Sequence, residues 1–347
     1  DNASSFSQNK VIWLFVLTAI VLVGVVLGIR IYVDHGRVIR RTQDRLLAQT
    51  RVIDENISVN MTAINLLLTG IITELQKTPD EKQLNRLLKQ QLALTPSIRT
   101  LMINDSQGRC IYSNRDDLLG KDFSNRDYFK IPRNATTRGI LFLSPPYTTL
   151  VGKYVINVTK PFFNEQGRFK GIVTITLDPE YFAALLQSTI YAPDNRVSLV
   201  HSNGTVFIAM PGSAVPVTGA TLTQPGSAFM QHIAGGATTT IQSTACKILG
   251  DKRLFAYRTN HPKGLHFDSQ IVVTASRNLD AVFSLWWKDT GIELVLYVLF
   301  ASSTVFVTRT LLRHQTELKQ VESTARMKIE DKKRLLEAVM DALTIGD

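Results

Sequence analysis

Residues 125–182 read NRDYFKIPRNATTRGILFLSPPYTTLVGKYVINVTKPFFNEQGRFKGIVTITLDPEYF. An aromatic head, Arg126-Asp127-Tyr128-Phe129, leads into a loop. Three apolar runs with strand character follow, at residues 140–143, 154–158 and 171–177. The last is β-branched and bounded by turn residues. Asn164-Glu165-Gln166-Gly167 reads as the hairpin turn between the last two runs, because Gly and Asn tolerate the backbone angles of a tight turn. The stretch therefore predicts a small antiparallel sheet, and the rest of the chain reads as its support.

Upstream, residues 40–77 carry Leu47, Ile53, Ile57, Ile64, Leu67, Ile71 and Leu75 at helical spacing, with no Gly or Pro before Gly70. A long stalk helix is predicted, then a shorter helix over 83–94 that ends before Pro96. A hairpin follows, LMINDSQGRCIYSN from Leu101, and it has an echo in SLVHSNGTVFIAM from Ser198. Each is an apolar strand, a polar turn closed by Gly, and a second apolar strand. One α/β unit thus occurs twice, which predicts two stacked modules. Between them residues 178–188 form a short helix, with Asp178 as N-cap and Pro179 at the first helical position. Residues 252–257 and 270–275 supply later strands of the second module. Residues 212–236 read as loop with a short helix over 228–233.

The chain has 347 residues, 44% of them hydrophobic, a formal net charge of +10 and a mean hydropathy of +0.04. The apolar residues are concentrated. Residues 11–29 form an unbroken run of about 19, enough to cross a bilayer as a helix. Arg30-Ile31-Tyr32 follows rather than a small-residue cleavage site, which argues against a removed signal peptide. A second run, 292–307, has Trp286, Trp287 and Lys288 before it and Arg309 and Arg313 after it, an interfacial belt and a cationic stop. Glu293 stands where it can reach headgroups. The basic residues cluster beside these runs and do not interleave with aromatics as a nucleic-acid face would, so the partner is a membrane and not nucleic acid. Basic residues after the second run place the C-terminus in the cytoplasm. Those after the first run oppose this, but long translocated regions obey the charge rule poorly, so both ends are assigned inside and the middle outside. Beyond the second run, Leu318, Ala325, Ile329, Leu336, Met340 and Leu343 step by seven and four, an imperfect heptad seam. A dimeric coiled coil competes there with a lone solvated helix. Asp1 in place of Met and the stop at Asp347 are expected to mark a fragment of something longer.

Taken together, RDYF, SPPY, VINVTKPF, NEQGRFKGIV, TLDPEYF, VSLVHSNGTVF and ASRNLDAVFSLW, in that order between two apolar runs, resemble the double-Cache (dCache) sensor of bacterial membrane receptors. The subgroup it resembles occurs in histidine kinases and diguanylate cyclases. The resemblance implies an α+β fold of two tandem PAS-like modules on a long N-terminal helix, flanked by two transmembrane helices and followed by a cytoplasmic coiled-coil helix. The implied layout is cytoplasmic N-terminus 1–10, first span 11–33, stalk and second helix 34–96, membrane-distal module 97–178, membrane-proximal module 179–287, second span 288–308 and signalling helix 309–347. It also implies a homodimer, a ligand pocket in the distal module, a location in the bacterial inner membrane with the sensor periplasmic, and an output domain beyond the chain.

Amino-acid-binding members carry Arg-x-Trp-Tyr for the ligand carboxylate and a later Asp for its amine. Arg126, Tyr128 and Phe129 fall on the first element, beside Asp127. A guanidinium can pair a carboxylate bidentately, and aromatics can close over an apolar body. Thr176 stands where the Asp is expected, and Lys121 replaces an upstream aromatic. An α-amino group would lack its counter-charge. Lys160 adds positive charge, so the expected ligand is a small anion such as an organic acid. Tyr147 and Tyr154 complete the candidates. The competing readings are a surface pair for Arg126 and Asp127, and core packing for Tyr128 and Phe129.

No catalytic residue, metal ligand or cofactor is assigned. The six histidines are scattered, and neither a P-loop nor Gly-x-Ser-x-Gly occurs. Two cysteines, Cys110 and Cys246, fall in different modules and are expected to be free. A membrane-tethered ectoenzyme would need a convergent catalytic set. A chemotaxis receptor would carry a HAMP module with a Pro after the second span, and residues 308–345 contain none.

Overall fold

The computed structural model describes residues 2–77, 81–135, 139–149, 152–212 and 217–344. The chain divides into two compact units, Ile39–Phe283 and Asp1–Val38 together with Ser284–Asp347. It opens with α1 (Asn2–Gln76), α2 (Glu81–Ala93), β1 (Ile98–Asp105) and β2 (Cys110–Ser113). Then come α3 (Asp127–Asn134), β3 (Phe142–Leu143), β4 (Tyr147–Thr148), β5 (Tyr154–Val155), β6 (Asn157–Phe163) and β7 (Phe169–Leu177). The second half runs α4 (Pro179–Ser188), β8 (Arg196–His201), β9 (Val206–Met210), α5 (Ala228–Gly235), β10 (Thr239–Cys246), β11 (Asp251–Thr259), β12 (Ile271–Asn278) and α6 (Leu279–Thr344).

In the unit Ile39–Phe283, two five-stranded antiparallel sheets have the orders β2-β1-β7-β6-β3 and β9-β8-β12-β11-β10. Each order places a hairpin's second strand at one edge, then its first strand, then the module's last strand. The two sheets share one topology, the structural form of the sequence echo. Alternation along each strand sends one set of side chains to each face. Leu101, Ile103, Val158, Val173, Ile175 and Leu177 of the first sheet share one core with Val197, Leu199, Leu254, Ala256, Val273 and Ala275 of the second. Both pack on α1 through Leu46, Ile53, Ile57, Met61, Ile64, Leu68 and Ile71, spaced at helical intervals. The stalk helix is thus the shared spine of the two modules. Asp54 fixes it further: its carboxylate accepts from Arg258 Nε at 2.7 Å and Asn260 Nδ2 at 2.6 Å.

Local chemistry explains the joints. Asp178 caps α4, its Oδ1 accepting from the backbone N–H of Glu180 at 2.8 Å and Tyr181 at 3.3 Å, and Pro179 opens the helix. The 164–167 turn closes with Gly167 N–H donating to the Asn164 carbonyl at 2.9 Å, Gly167 having φ of 76°. The two modules are also stitched directly: Leu141 pairs with Phe267, and Leu143 N–H donates to Asp268 Oδ1 at 2.7 Å.

Three local expectations change. The head Asp127-Tyr128-Phe129 opens helix α3 and not a loop. Asp127 in its first turn complements the positive end of the helix, and Pro132 is accommodated inside it. The second apolar run is divided between β5 and β6, and β6 continues through Pro161 to Phe163. Finally β10 occupies Thr239–Cys246, where no strand was expected, as an edge strand without a fully buried residue.

In the other unit, two stretches are long and apolar enough to cross a membrane, one in the helix Asn9–Gln76 and one in Leu279–Arg334. Tyr297 hydroxyl donates to the Ile20 carbonyl at 3.0 Å. Gly24 admits this approach, since a Cβ there would meet Tyr297 Oη at 2.6 Å. Glu293 pairs with Arg30 at 2.8 Å.

Candidate functional site

The face of the first sheet turned away from α1 is unusually polar for a buried surface. Asn104, Asn157, Thr159 and Thr174 are each at most 1% exposed. A buried polar group is costly unless bonded, and most of these are. Thr159 and Thr174 hydroxyls meet across β6 and β7 at 3.2 Å. Asn104 Nδ2 donates to the Gly108 carbonyl at 3.1 Å, while its Oδ1 has no partner among the described residues.

Thr176 hydroxyl donates to Asn157 Oδ1 at 2.8 Å, and Asn157 Nδ2 donates to the Tyr147 hydroxyl at 2.9 Å. This chain orients the phenol of Tyr147 and leaves its own proton free to donate. Tyr128, buried on α3, stacks on Tyr147 with ring centres 6.0 Å apart and planes 25° from parallel. Tyr128 hydroxyl bonds no described residue. Burial pushes both phenols above the usual tyrosine range, and the charge of Arg126 partly offsets the rise in each. Arg126 is the exposed residue just ahead of α3. Its side chain forms no ion pair among the described residues, so the surface pair with Asp127 is not made. A guanidinium and two phenolic O–H groups are thus gathered at the end of a neutral polar strand pair, with Asn157 Oδ1 already taken. Hydrogen-bond donors dominate, which suits an anion.

A family model for the Cache domain, dCache_1, matches residues 35–264. The chain belongs to the Cache-domain family. Solved Cache structures share its architecture. The extracellular domain of rpHK1S-Z16, described as a histidine kinase, is 21% identical with a TM-score of 0.62, covering 71% of this chain and 98% of that one. The periplasmic sensory domain of the Campylobacter jejuni chemoreceptor Tlp1 is 15% identical with a TM-score of 0.58, covering 71% and 98%. The ligand-binding domain of the Pseudomonas aeruginosa PAO1 amino-acid chemoreceptor PctC, in complex with GABA, is 17% identical with a TM-score of 0.52, covering 68% and 100%. At these identities the likeness concerns the fold. No curated protein matches the chain.

Within the first Cache module, the structure gathers four of the eight sequence candidates: Arg126, Tyr128, Tyr147 and Thr176. The other four lie elsewhere. Phe129 is fully buried and packs edge-on against Phe169 at 5.9 Å, a core residue. Asp127 is exposed on α3. Lys160 points to the opposite face of β6, where its Nζ donates to Asn65 Oδ1 at 2.9 Å and Thr69 Oγ1 at 2.8 Å on α1. Tyr154 packs against the shared core, its hydroxyl near Gly219 of the second module. Asn157 escaped the sequence reading although it joins Thr176 to Tyr147. A signal existed: polar residues alternate inside VINVTK and IVTITL, and in a buried strand such alternation marks a face that binds something polar.

Proposed function

We propose that the chain is the extracytoplasmic small-molecule sensor of a membrane-bound signal-transduction receptor, and that its first module binds a small anion such as an organic acid. The observation that carries this reading is the convergence of Arg126, Tyr128 and Tyr147, two hydroxyls and a guanidinium with no paired carboxylate. Thr176, where amino-acid sensors are expected to carry an Asp, spends its hydroxyl on Asn157. An α-amino group would find no counter-charge there. On this reading the chain lies in a bacterial inner membrane with spans at 11–33 and 288–308, a periplasmic distal module at 97–178 and a proximal module at 179–287. The helix at 309–347 leads, in a homodimer, to a histidine kinase or diguanylate cyclase output. A chemoreceptor output is the second reading, favoured by the Tlp1 and PctC likenesses.

A thermal-shift screen of the full chain in nanodiscs tests the ligand class, using organic acids, amino acids and amines. A ligand specific to the native state raises Tm with its concentration. The expected hit is a carboxylate without an amine, lost in Arg126→Ala. Hits confined to amines would overturn the anion assignment.

A further inference from the structure

The second Cache module holds a cavity of ≈ 180 Å³ on the outer face of its sheet, roofed by α5 and the loop before it. It shares no residue with the first site. Met210, Leu222, Phe229 and Phe255 give it an apolar body. Its size is that of a single-ring occupant: an engineered apolar cavity of about 150 Å³ holds benzene.

Its polar groups carry one sign. Arg196 lines the wall, half-buried. Its Nη1 donates to the Pro211 carbonyl at 3.1 Å, which fixes the guanidinium and leaves further N–H groups uncommitted. Lys247 stands exposed at the rim. Neither cation pairs with a carboxylate among the described residues, and no Asp or Glu lines the cavity. Tyr257 also lines it, 4% exposed. Its ring is clamped between Phe255 at 5.7 Å and His232 at 5.6 Å. The imidazole is itself held by Thr240 at 2.8 Å and Thr259 at 2.9 Å. Tyr257 hydroxyl bonds no described residue, and burial holds its pKa above the usual tyrosine range. It therefore stays an unpartnered O–H donor available to a ligand in the cavity.

We propose that the second module is a ligand site in its own right, for a small monocarboxylic acid with one aromatic ring. The ring fills the space against Phe229 and Phe255. The carboxylate pairs with Arg196, with Tyr257 as a further donor and Lys247 drawing the anion to the rim.

Calorimetric titration of the full chain in nanodiscs with sodium benzoate and phenylacetate tests this, with benzyl alcohol and benzylamine as uncharged and cationic comparisons. Saturable binding of the acids, one per chain and weakened by salt, is expected. Arg196→Gln should weaken it about tenfold, the loss of a charge-assisted hydrogen bond. Because Arg196 also holds the Pro211 carbonyl, Lys247→Gln at an exposed position gives a second measure, with a loss of a few-fold. Arg126→Ala separates the two sites, since it should abolish the first module's ligand and leave benzoate binding intact. The proposal is overturned if neither acid binds saturably at millimolar concentrations, or if benzyl alcohol binds as well as benzoate. Loss of benzoate in Arg126→Ala with retention in Arg196→Gln would also overturn it, by placing the acid in the first site.

Discussion

Asn157 and Lys160 stand three residues apart on β6 and face opposite sides of it, so one register decides which of them meets a ligand. Lys160 ties the strand to α1 through Asn65 and Thr69; Asn157 organises Tyr147 and Thr176. Lys160→Met should therefore leave affinity for the first module's ligand unchanged and lower stability by about 1 kcal/mol in urea denaturation. Asn157→Ala should weaken the ligand, measured by titration. His201 makes a second residue-scale case. It is buried at the junction of the modules, with Nδ1 accepting from Asn203 N–H at 3.1 Å and Nε2 facing the Leu143 carbonyl at 3.4 Å. Both contacts suit the neutral ring, and burial lowers its pKa from 6.5. The unfolded chain then binds the proton more readily, so stability falls as pH drops from 6.5 toward the lowered value. Burial raises Asp268 from 3.8, which acts with the opposite sign in the window above that value. Comparing Tm at about pH 7.5 and 5.5 should show the His201 loss, and His201→Gln should remove that part of it.

At the scale of elements, the first sheet depends on one close approach. Gly171 opens the main run of β7 at φ of 152°, and a Cβ there would collide with the Asn104 carbonyl of β1. Gly171→Ala should shift the β1–β7 pairing and cost at least about 2 kcal/mol, read from chemical denaturation. The elements most legible in the sequence were those with strong periodicity or explicit caps: α1, the paired hairpins, and α4 with Asp178 and Pro179. Helix α3 was hidden because eight residues with a Pro inside carry little helical periodicity, while packing of Tyr128 and Phe129 on the sheet holds the turn helical. Strand β10 was hidden because TTIQSTAC is polar and an edge strand needs no fully buried face.

The whole molecule turns on the start of α6. Asp194 Oδ2 accepts from Arg277 Nε at 2.6 Å and from Asn278 N–H at 3.0 Å, and Asn278 Oδ1 caps α6 at Ala281 N–H, 2.9 Å away. The last strand of the second module is therefore locked to the helix that continues from it. Further along α6, Leu318 and Ile329 are exposed at 57% and 68%, on the seam expected of a coiled coil. If ligand biases a dimer through this helix, the double variant Leu318→Asp, Ile329→Asp should shift the chain toward monomer in analytical ultracentrifugation and leave ligand affinity unchanged. Deleting 311–343 should uncouple ligand from output in the full receptor. An unaltered sedimentation profile would remove the seam from the account.

The sequence by itself determined the repeated hairpin unit, the helical spine and the two long apolar stretches, because each rests on periodicity or local turn chemistry along a continuous segment; the Cache family entered through the resemblance carried by the order of its short motifs. It could also nominate Arg126, Tyr128, Tyr147 and Thr176. Only the tertiary structure decided that Tyr128, Tyr147 and Thr176 come together through Asn157, that the charge of Arg126 acts on both phenols, and that Lys160 lies on the opposite face. Strand register sets which side of a sheet each residue meets, and pairing between distant strands fixes register. The cavity around Arg196 and Tyr257 is tertiary in the same sense: its walls come from β8, β9, β10, β11, β12, α5 and two loops, and no contiguous stretch of the chain contains it.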